Sequence, residues 1–226
     1  MGFIASARHA AAATAALCVS VGAQAAGGHH AVDDATIMER GNCEEENWVS
    51  RYQGGTRLFH AGVNCRVGPV ELDGAAEYAR GDGESATEWN LEIKWAKPLG
   101  NGWAVGLDLE PVWAAHQSPR YAATRFTALA TWGVTEGVDL HFNAGRDWLR
   151  GERDFARYGV GMDWAPIARW SFVLERYLDL GTHFVRTGAR WAAGRQWTVD
   201  LSYAQRLSGP APSFWTLGLT FDLDED

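Results

Sequence analysis

The chain has 226 residues, a formal net charge of −8 at pH 7 and a mean hydropathy of −0.24. The acidic balance argues against nucleic acid as a partner, because phosphate backbones bind basic faces. It also leaves no polybasic segment for anionic lipid. The length suits one domain, and a chain that is apolar at alternate positions but polar overall favours a barrel with a polar interior over a sandwich with a dry one.

The first residues have the features of a targeting segment. Arg8 lies in a short basic start, residues 10–21 form an apolar run of small residues, and Ala23-Gln24-Ala25 has the small-x-small pattern of a cleavage site. The apolar run is too short to cross roughly 30 Å of hydrocarbon as a helix. We therefore predict a secretory signal peptide over residues 1–25, which directs the chain through the inner membrane.

Residues 26–43 precede the first alternating run, and we predict that they form a solvated periplasmic tail. Within them, His29 and His30 are followed by Asp33 and Asp34, and imidazole and carboxylate groups can bind zinc or copper. Adjacent residues of an ordered strand point apart, so both histidines could bind one metal ion only in a flexible segment. We favour the solvated tail and predict no metal site and no cofactor.

Two cysteines remain after the predicted cleavage, Cys43 and Cys65. An even number of cysteines in an oxidising compartment favours a disulfide. A turn at residues 54–56 would fold the runs before and after it into a hairpin, in which position 44 lies roughly opposite Cys65. We predict a Cys43–Cys65 disulfide at the open end of this hairpin, and the alternative is a pair of buried thiols.

The rest of the chain, residues 44–226, is a succession of runs in which apolar and polar residues alternate. Alternation with a period of two predicts strands with two different faces. Every second connection is a tight turn, as in the periplasmic turns of transmembrane barrels. We predict an all-β, antiparallel up-and-down transmembrane β-barrel of about 12 strands, with ten as the alternative if two weak runs are loops. The predicted strands are residues 44–53, 57–67, 70–81, 86–96, 102–113, 121–134, 137–149, 154–164, 170–177, 182–191, 196–207 and 213–223.

Nearly every tryptophan lies at the end of one of these runs, on its apolar side. Indole prefers the membrane–water interface, because its ring is apolar and its N–H needs a polar partner. Tryptophan at both ends of short amphipathic strands predicts the aromatic girdles of a barrel in a lipid bilayer. The predicted girdle residues are Trp89, Trp95, Trp103, Trp113, Trp132, Trp148, Trp164, Trp170, Trp191, Trp197 and Trp215.

The opposite face of the runs carries the charges. A charge that faces lipid near mid-membrane would cost about 2–4 kcal/mol, so this face must line the lumen. Acidic residues outnumber basic ones and concentrate on the third to fifth runs, whereas the arginines lie on later runs. The predicted lumen-lining residues are Glu71, Asp73, Glu77, Glu92, Lys94, Asp108, Glu110, Arg125, Asp139, His141, Asp147, Arg157, Asp163, Glu175, Arg186, Arg190 and Asp200.

This lumen supports two hypotheses about function. An acidic, water-filled lumen would form a small passive channel for ions or small, preferentially cationic solutes. Alternatively, the acids pair with the arginines across the interior and hold a closed barrel that serves as a structural or docking element. We favour the channel, because the few bases cannot neutralise the many acids at close range.

The last run carries a family resemblance. The sequence SFWTLGLTFDLDED resembles the closing strand of Gram-negative outer-membrane β-barrel proteins, in which alternating aromatic and aliphatic residues lead to a terminal aromatic that the barrel-assembly machinery reads. This chain departs from that pattern by ending in the acidic residues 224–226. The resemblance implies an outer-membrane location, assembly by that machinery and a porin-like or transporter class.

A third hypothesis is a hydrolase embedded in the barrel, as in the outer-membrane phospholipase family, whose signature is His-x-Ser-Asn-Gly. The sequences that follow His141 and His183 are Phe-Asn-Ala-Gly and Phe-Val-Arg-Thr-Gly, with no serine at the required spacing. We therefore predict no catalytic residues and no enzymatic activity.

Overall fold

The computed structural model describes residues 28–223. The predicted signal peptide, its cleavage site after Ala25 and the acidic residues 224–226 lie outside the described residues. Within the described range, no helix is long and apolar enough to cross a membrane.

In residues 28–223, twelve antiparallel strands form a closed barrel, in which each strand pairs with its neighbours in sequence and β1 pairs with β12. The prediction of 12 strands is confirmed, and the alternative of ten is wrong. The strands are β1 (Cys43–Tyr52), β2 (Arg57–Val67), β3 (Val70–Gly81), β4 (Glu84–Gly100), β5 (Trp103–Ala114), β6 (Tyr121–Thr135), β7 (Val138–Leu149), β8 (Phe155–Ile167), β9 (Trp170–Asp179), β10 (Thr182–Ala192), β11 (Trp197–Ser208) and β12 (Phe214–Asp222).

The largest difference from the predicted boundaries is β4, which runs from Glu84 to Gly100 and ends four residues later than expected. It continues through Pro98, and its pairing with β5 is irregular between Pro98 and Gly100, as is common where proline removes a main-chain donor from a sheet. The turn that follows has positive φ at Asn101 and Gly102, 53° and 79°. This is the conformation that a two-residue hairpin turn requires.

The predicted disulfide between Cys43 and Cys65 is present, and the two residues are directly opposite each other on β1 and β2. The register is therefore one residue away from the predicted one, in which position 44 opposed Cys65. The disulfide lies at the end of the barrel where the described chain both enters β1 and leaves β12. We call this the terminal end, and we call the opposite end, which carries the β1–β2 and β11–β12 connections, the loop end.

The outward face is an apolar band. Leu91 is 57% exposed, and Leu201 and Leu217 are each 51% exposed, which is unusual for leucine in an aqueous setting and normal against lipid. Tryptophan rings stack across neighbouring strands at the terminal end, with centroids 5.5 Å apart for Trp103 and Trp132. Of the predicted girdle residues, Trp89 and Trp113 are half-buried and face each other across β4 and β5. The other nine are exposed: Trp95, Trp103, Trp132, Trp148, Trp164, Trp170, Trp191, Trp197 and Trp215.

The interior has an aromatic part and a polar part. Tyr177, Phe184 and Phe214 pack together on the β9–β12 side, with ring centroids of Tyr177 and Phe184 5.2 Å apart. Arg186 lies over the rings of Tyr177 and Phe214, a favourable arrangement for a cation in a low-dielectric interior. The β2–β6 side of the lumen is lined mainly by charged and polar side chains, and the two parts meet around the chain segment that precedes β1.

Candidate functional site in the lumen

The segment that precedes β1 lies inside the barrel. Val32 and Ala35 are each 1% exposed and Asp34 is 3% exposed. The predicted solvated tail is therefore wrong for this part of the chain, which we call the lumen segment (residues 28–38). The barrel wall supplies hydrogen-bond partners to several of its main-chain polar groups.

Side chains of the wall accept hydrogen bonds from main-chain N–H groups of the lumen segment. The acceptors lie on β9, β6 and β3, so these bonds extend across the lumen. The bonds join Val32 N to Glu175 Oε1 (2.9 Å), Ala35 N to Thr131 Oγ1 (2.8 Å) and Met38 N to Glu71 Oε2 (2.7 Å).

Other wall side chains bind main-chain carbonyl groups of the same segment. Arg186 on β10 donates to the carbonyl of His29, and Arg66 on β2 donates to the carbonyl of Met38. The side-chain amide of Asn143 on β7, oriented to satisfy both of its polar ends, donates to the Asp33 carbonyl at 2.8 Å and accepts from the Asp33 N–H at 2.8 Å. The wall therefore contacts both kinds of main-chain polar group.

Val32 occupies a space that two glycines of β8 leave open. A Cβ atom at Gly159 would lie 2.5 Å from Val32 Cγ2, and one at Gly161 would lie 3.1 Å from Val32 Cγ1. The first distance is shorter than any van der Waals contact. Only glycine at position 159 therefore lets the valine side chain reach the wall here.

The carboxylates of the lumen segment pair with a buried lysine. Lys94 on β4 is 4% exposed, and its Nζ lies 2.8 Å from Asp33 Oδ2 and 3.4 Å from Asp34 Oδ1. Burial raises the pKa of Asp33 to about 6, even though the charge of Lys94 acts in the opposite direction. Asp34 also accepts a hydrogen bond from the N–H of Thr36, which fixes the local bend.

The two histidines of the segment have different environments. His29 Nε2 lies 2.8 Å from Ser202 Oγ, and burial together with the neighbouring His30 lowers the pKa of His29 well below its usual value. His30 lies 3.8 Å from Glu175 and 3.9 Å from Asp200. Burial opposes the protonation of His30, but these two carboxylates outweigh burial and raise its pKa.

The basic residues that were predicted to line the lumen each have an acidic partner. Lys94 pairs with the lumen segment, whereas the arginines pair mainly within the wall, on the side formed by β5–β11. The arginine pairs are Arg125 with Glu110 (2.8 Å), Arg157 with Asp147 (2.9 Å), Arg186 with Glu175 (3.4 Å) and Arg190 with Asp200 (2.8 Å).

Several predicted acidic residues have a different environment. Glu77 lies 3.2 Å from His60, and Asp163 lies 3.9 Å from His141. Glu71 accepts from Asn64 as well as from Met38. Within residues 28–223, no lysine or arginine lies within 4.0 Å of the remaining four, which are Asp73, Glu92, Asp108 and Asp139.

A small pocket lies on the loop-end side of the lumen segment. It is open to solvent. Arg125 and the carboxylates of Glu77 and Glu88 contribute to its lining, together with Trp89, Asn90 and Val112. The sequence patterns did not single out Glu88 and Asn90 as lumen residues, although their parity on β4 matches that of Glu92 and Lys94.

The four residues weighed above as possible metal ligands, His29, His30, Asp33 and Asp34, are not grouped around one point in the structure. Within residues 28–223, no group of three or more His, Cys, Asp or Glu side chains is placed to hold a metal ion. His141, considered above as a catalytic base, has its Nδ1 3.0 Å from Thr131 Oγ1. The same threonine oxygen accepts the hydrogen bond from the Ala35 N–H, so His141 is part of the wall site that binds the lumen segment.

The fold and the site together define a class. Residues 28–223 form a closed, all-antiparallel barrel of 12 strands, apolar outside and charged inside, which is the fold of porins and of transmembrane β-barrels. The chain belongs to the family described as Uncharacterised conserved protein UCP029691, whose model matches residues 13–223. No curated protein matches the chain.

Solved structures agree with this class. A KdgM porin superposes with a TM-score of 0.68 at 7% identity, covering 80% of this chain and 99% of that one. A NanC porin gives 0.63 at 8% identity, with 80% and 100% covered. The toluene transporter TbuX of Ralstonia pickettii gives 0.53 at 9% identity, with 82% and 90% covered. At these identities the similarity establishes the fold.

Proposed function

We propose that the protein is an outer-membrane channel for small, preferentially cationic solutes, and that its lumen segment closes it in the conformation described here. The observation that carries the proposal is that this segment crosses a polar lumen and is held there by hydrogen bonds and ion pairs. Contacts of this kind can exchange with water, so the segment can leave without breaking the barrel.

The location rests on two observations. The exposed leucines and tryptophans form an apolar outer band that a lipid bilayer would cover, and the porin fold is that of proteins of the outer membrane. The lipid bilayer is therefore the primary partner, and the barrel-assembly machinery is the partner expected during biogenesis.

The preference for cations rests on the wall formed by β3–β5. Glu92 and Asp108 line this wall without a basic side chain within ion-pair distance in the described part of the chain. Glu77 and Glu88 line the pocket at the loop-end side. When the lumen segment leaves, this wall would present a negative surface to the solute, which concentrates cations and repels anions.

Single-channel conductance of the refolded chain from residue 26 onward, in a planar bilayer, tests the proposal. The wild type should conduct rarely, and Val32→Trp should conduct often, because tryptophan cannot fit against Gly159. Reversal potentials should show cation selectivity that falls in Glu92→Gln and Asp108→Asn. Glu136→Gln, in the exposed β6–β7 turn, is the matched control and should leave selectivity unchanged.

The second candidate is a closed docking barrel without transport, and a specific observation favours it. The lumen segment and the aromatic cluster of Tyr177, Phe184 and Phe214 together fill one side of the interior. If Val32→Trp folds, as shown by heat-modifiable mobility on a gel, and still never conducts, this second candidate replaces the channel.

A further inference from the structure

The contacts of the lumen segment show that the wall recognises a peptide mainly through its main chain. Six wall side chains from six different strands bind main-chain N–H or C=O groups between His29 and Met38. If the wall only balanced the charges of Asp33 and Asp34, their ion pairs with Lys94 would be enough, and the contacts with the main chain would not be needed. The wall groups are instead spaced along a chain that bends several times as it crosses the lumen.

Main-chain groups are common to all peptides. A site that binds main-chain groups can therefore gain affinity from peptides of many sequences. Its selectivity comes from the pockets that receive individual side chains. The residues that bind the main chain here include four charged groups, which form the stronger class of hydrogen bond: Arg66, Arg186, Glu175 and Glu71. Such an arrangement is a specific binding site, in contrast to a surface that makes only non-specific contacts with a tail.

Two positions of the wall confer selectivity. The gap at Gly159 and Gly161 receives the side chain of Val32 and has room for a residue of about that size. Lys94 follows on the other side of the lumen and receives the carboxylates of Asp33 and Asp34. The preferred sequence is therefore a small apolar residue followed directly by one or two acidic residues.

We propose that the lumen is a binding site for peptides, and that the lumen segment is its intramolecular occupant. The ligand is a peptide of about ten residues that carries a valine-sized side chain followed by an acidic residue, and it competes with the lumen segment for the same wall. This goes beyond the proposed channel, because binding does not require that the barrel conducts.

The test uses the chain from residue 26 onward, folded in detergent, with the lumen segment displaced by substitution. Val32→Trp removes the fit at Gly159, and Ala35→Pro independently removes the N–H that Thr131 accepts. The probe is a synthetic peptide with the sequence of residues 27–40, labelled with fluorescein at its N-terminus, and fluorescence anisotropy measures its binding. Heat-modifiable gel mobility shows that each variant is folded.

Both displaced variants should bind the peptide at least tenfold more tightly than the wild type, whose site is occupied. A peptide of the same sequence that is N-methylated at the positions of Val32 and Ala35 should bind about 100-fold more weakly, because it loses two hydrogen bonds that are each worth roughly a factor of ten. A peptide with asparagine at the positions of Asp33 and Asp34 should lose less affinity than the N-methylated peptide.

Four results would overturn the proposal. The first three are equal binding of the peptide to wild-type and displaced proteins, no binding to either folded variant, and equal binding of the N-methylated and unmodified peptides. The fourth is a larger loss of affinity for the asparagine peptide than for the N-methylated peptide, because the segment would then be held by charge. Conductance separates the two proposals. Conducting variants that bind no peptide refute the peptide site alone, and silent variants that bind it refute the channel alone.

Discussion

Lys94 is the residue whose loss should release the lumen segment most directly. It is buried on β4, and it is the cation nearest to the two carboxylates of the segment, 2.8 Å from Asp33 and 3.4 Å from Asp34. Lys94→Met keeps most of the length and volume of the side chain but leaves both carboxylates beside Glu71, which is directly opposite position 94 on β3. The segment inside the lumen then carries negative charge that has lost its lysine partner, next to a further acid.

The size of the effect follows from the burial of the pair. Removing one partner of a buried ion pair costs about 3–5 kcal/mol. The Asp33 side chain is 26% exposed and retains some contact with water, so we take the lower end, about 3 kcal/mol. At about 1.4 kcal/mol per factor of ten, the ratio of closed to open barrels should fall on the order of 100-fold.

Open probability in a planar bilayer measures this ratio. Neutralising both carboxylates in the same chain, as Asp33→Asn and Asp34→Asn, should return Lys94→Met towards the closed state, because the unpaired charge is gone. Two results would refute the reasoning: a folded Lys94→Met that stays as closed as the wild type, or a triple variant that stays as open as Lys94→Met.

Three further predictions follow. Gly159→Ala should open the barrel by about 5- to 100-fold, because overpacking costs about 1–3 kcal/mol and the new Cβ meets Val32 at 2.5 Å; adding Val32→Ala should reverse most of the opening, and failure to do so would assign the effect to the barrel wall. The pKa of Asp33 is raised to about 6 when the lumen segment lies in the barrel, so protonation of Asp33 stabilises the closed state. This stabilisation is lost as the pH rises through 6. The open probability should therefore rise from pH 4 to pH 6 more in the wild type than in Asp33→Asn, and identical profiles would contradict this origin. Replacing Cys43 and Cys65 by serine should lower the free energy of unfolding by about 3 kcal/mol, since the disulfide closes a loop with a sequence separation of 22; a denaturant midpoint equal to that of the disulfide-bonded protein would count against this value.

The barrel was predictable from the sequence because one strong physical rule constrains it. Charges cannot face lipid and main-chain groups cannot remain unpaired there, so the period of two in runs such as residues 102–113 and 196–207 determines both the strands and their inward faces. The strand ends were less predictable. The extension of β4 through Pro98 depends on an irregular pairing with β5 that no local pattern indicates.

The lumen segment was not predictable in this way. Residues 28–38 are short, polar and without periodicity, and such a segment is stable in water as well as against a polar wall. The wall residues that bind its main chain lie on six strands that come together only when the barrel closes, so no local spacing indicates them. The signal that was present is indirect. Gly159 and Gly161 occupy two successive inward positions of β8, and a gap of this kind in a narrow lumen indicates that something else fills it.

The position of Lys94 explains how the segment can leave at all. A buried lysine that lost both carboxylate partners would oppose the open state as strongly as Lys94→Met opposes the closed one. In the register of the barrel, however, Lys94 lies directly opposite Glu71 on β3 and Asp108 on β5. When the segment departs, the lysine has carboxylates of the wall beside it, while Asp33 and Asp34 move into water. Charge is compensated in both states, so the difference in free energy between them can be small, which is the condition for a two-state gate.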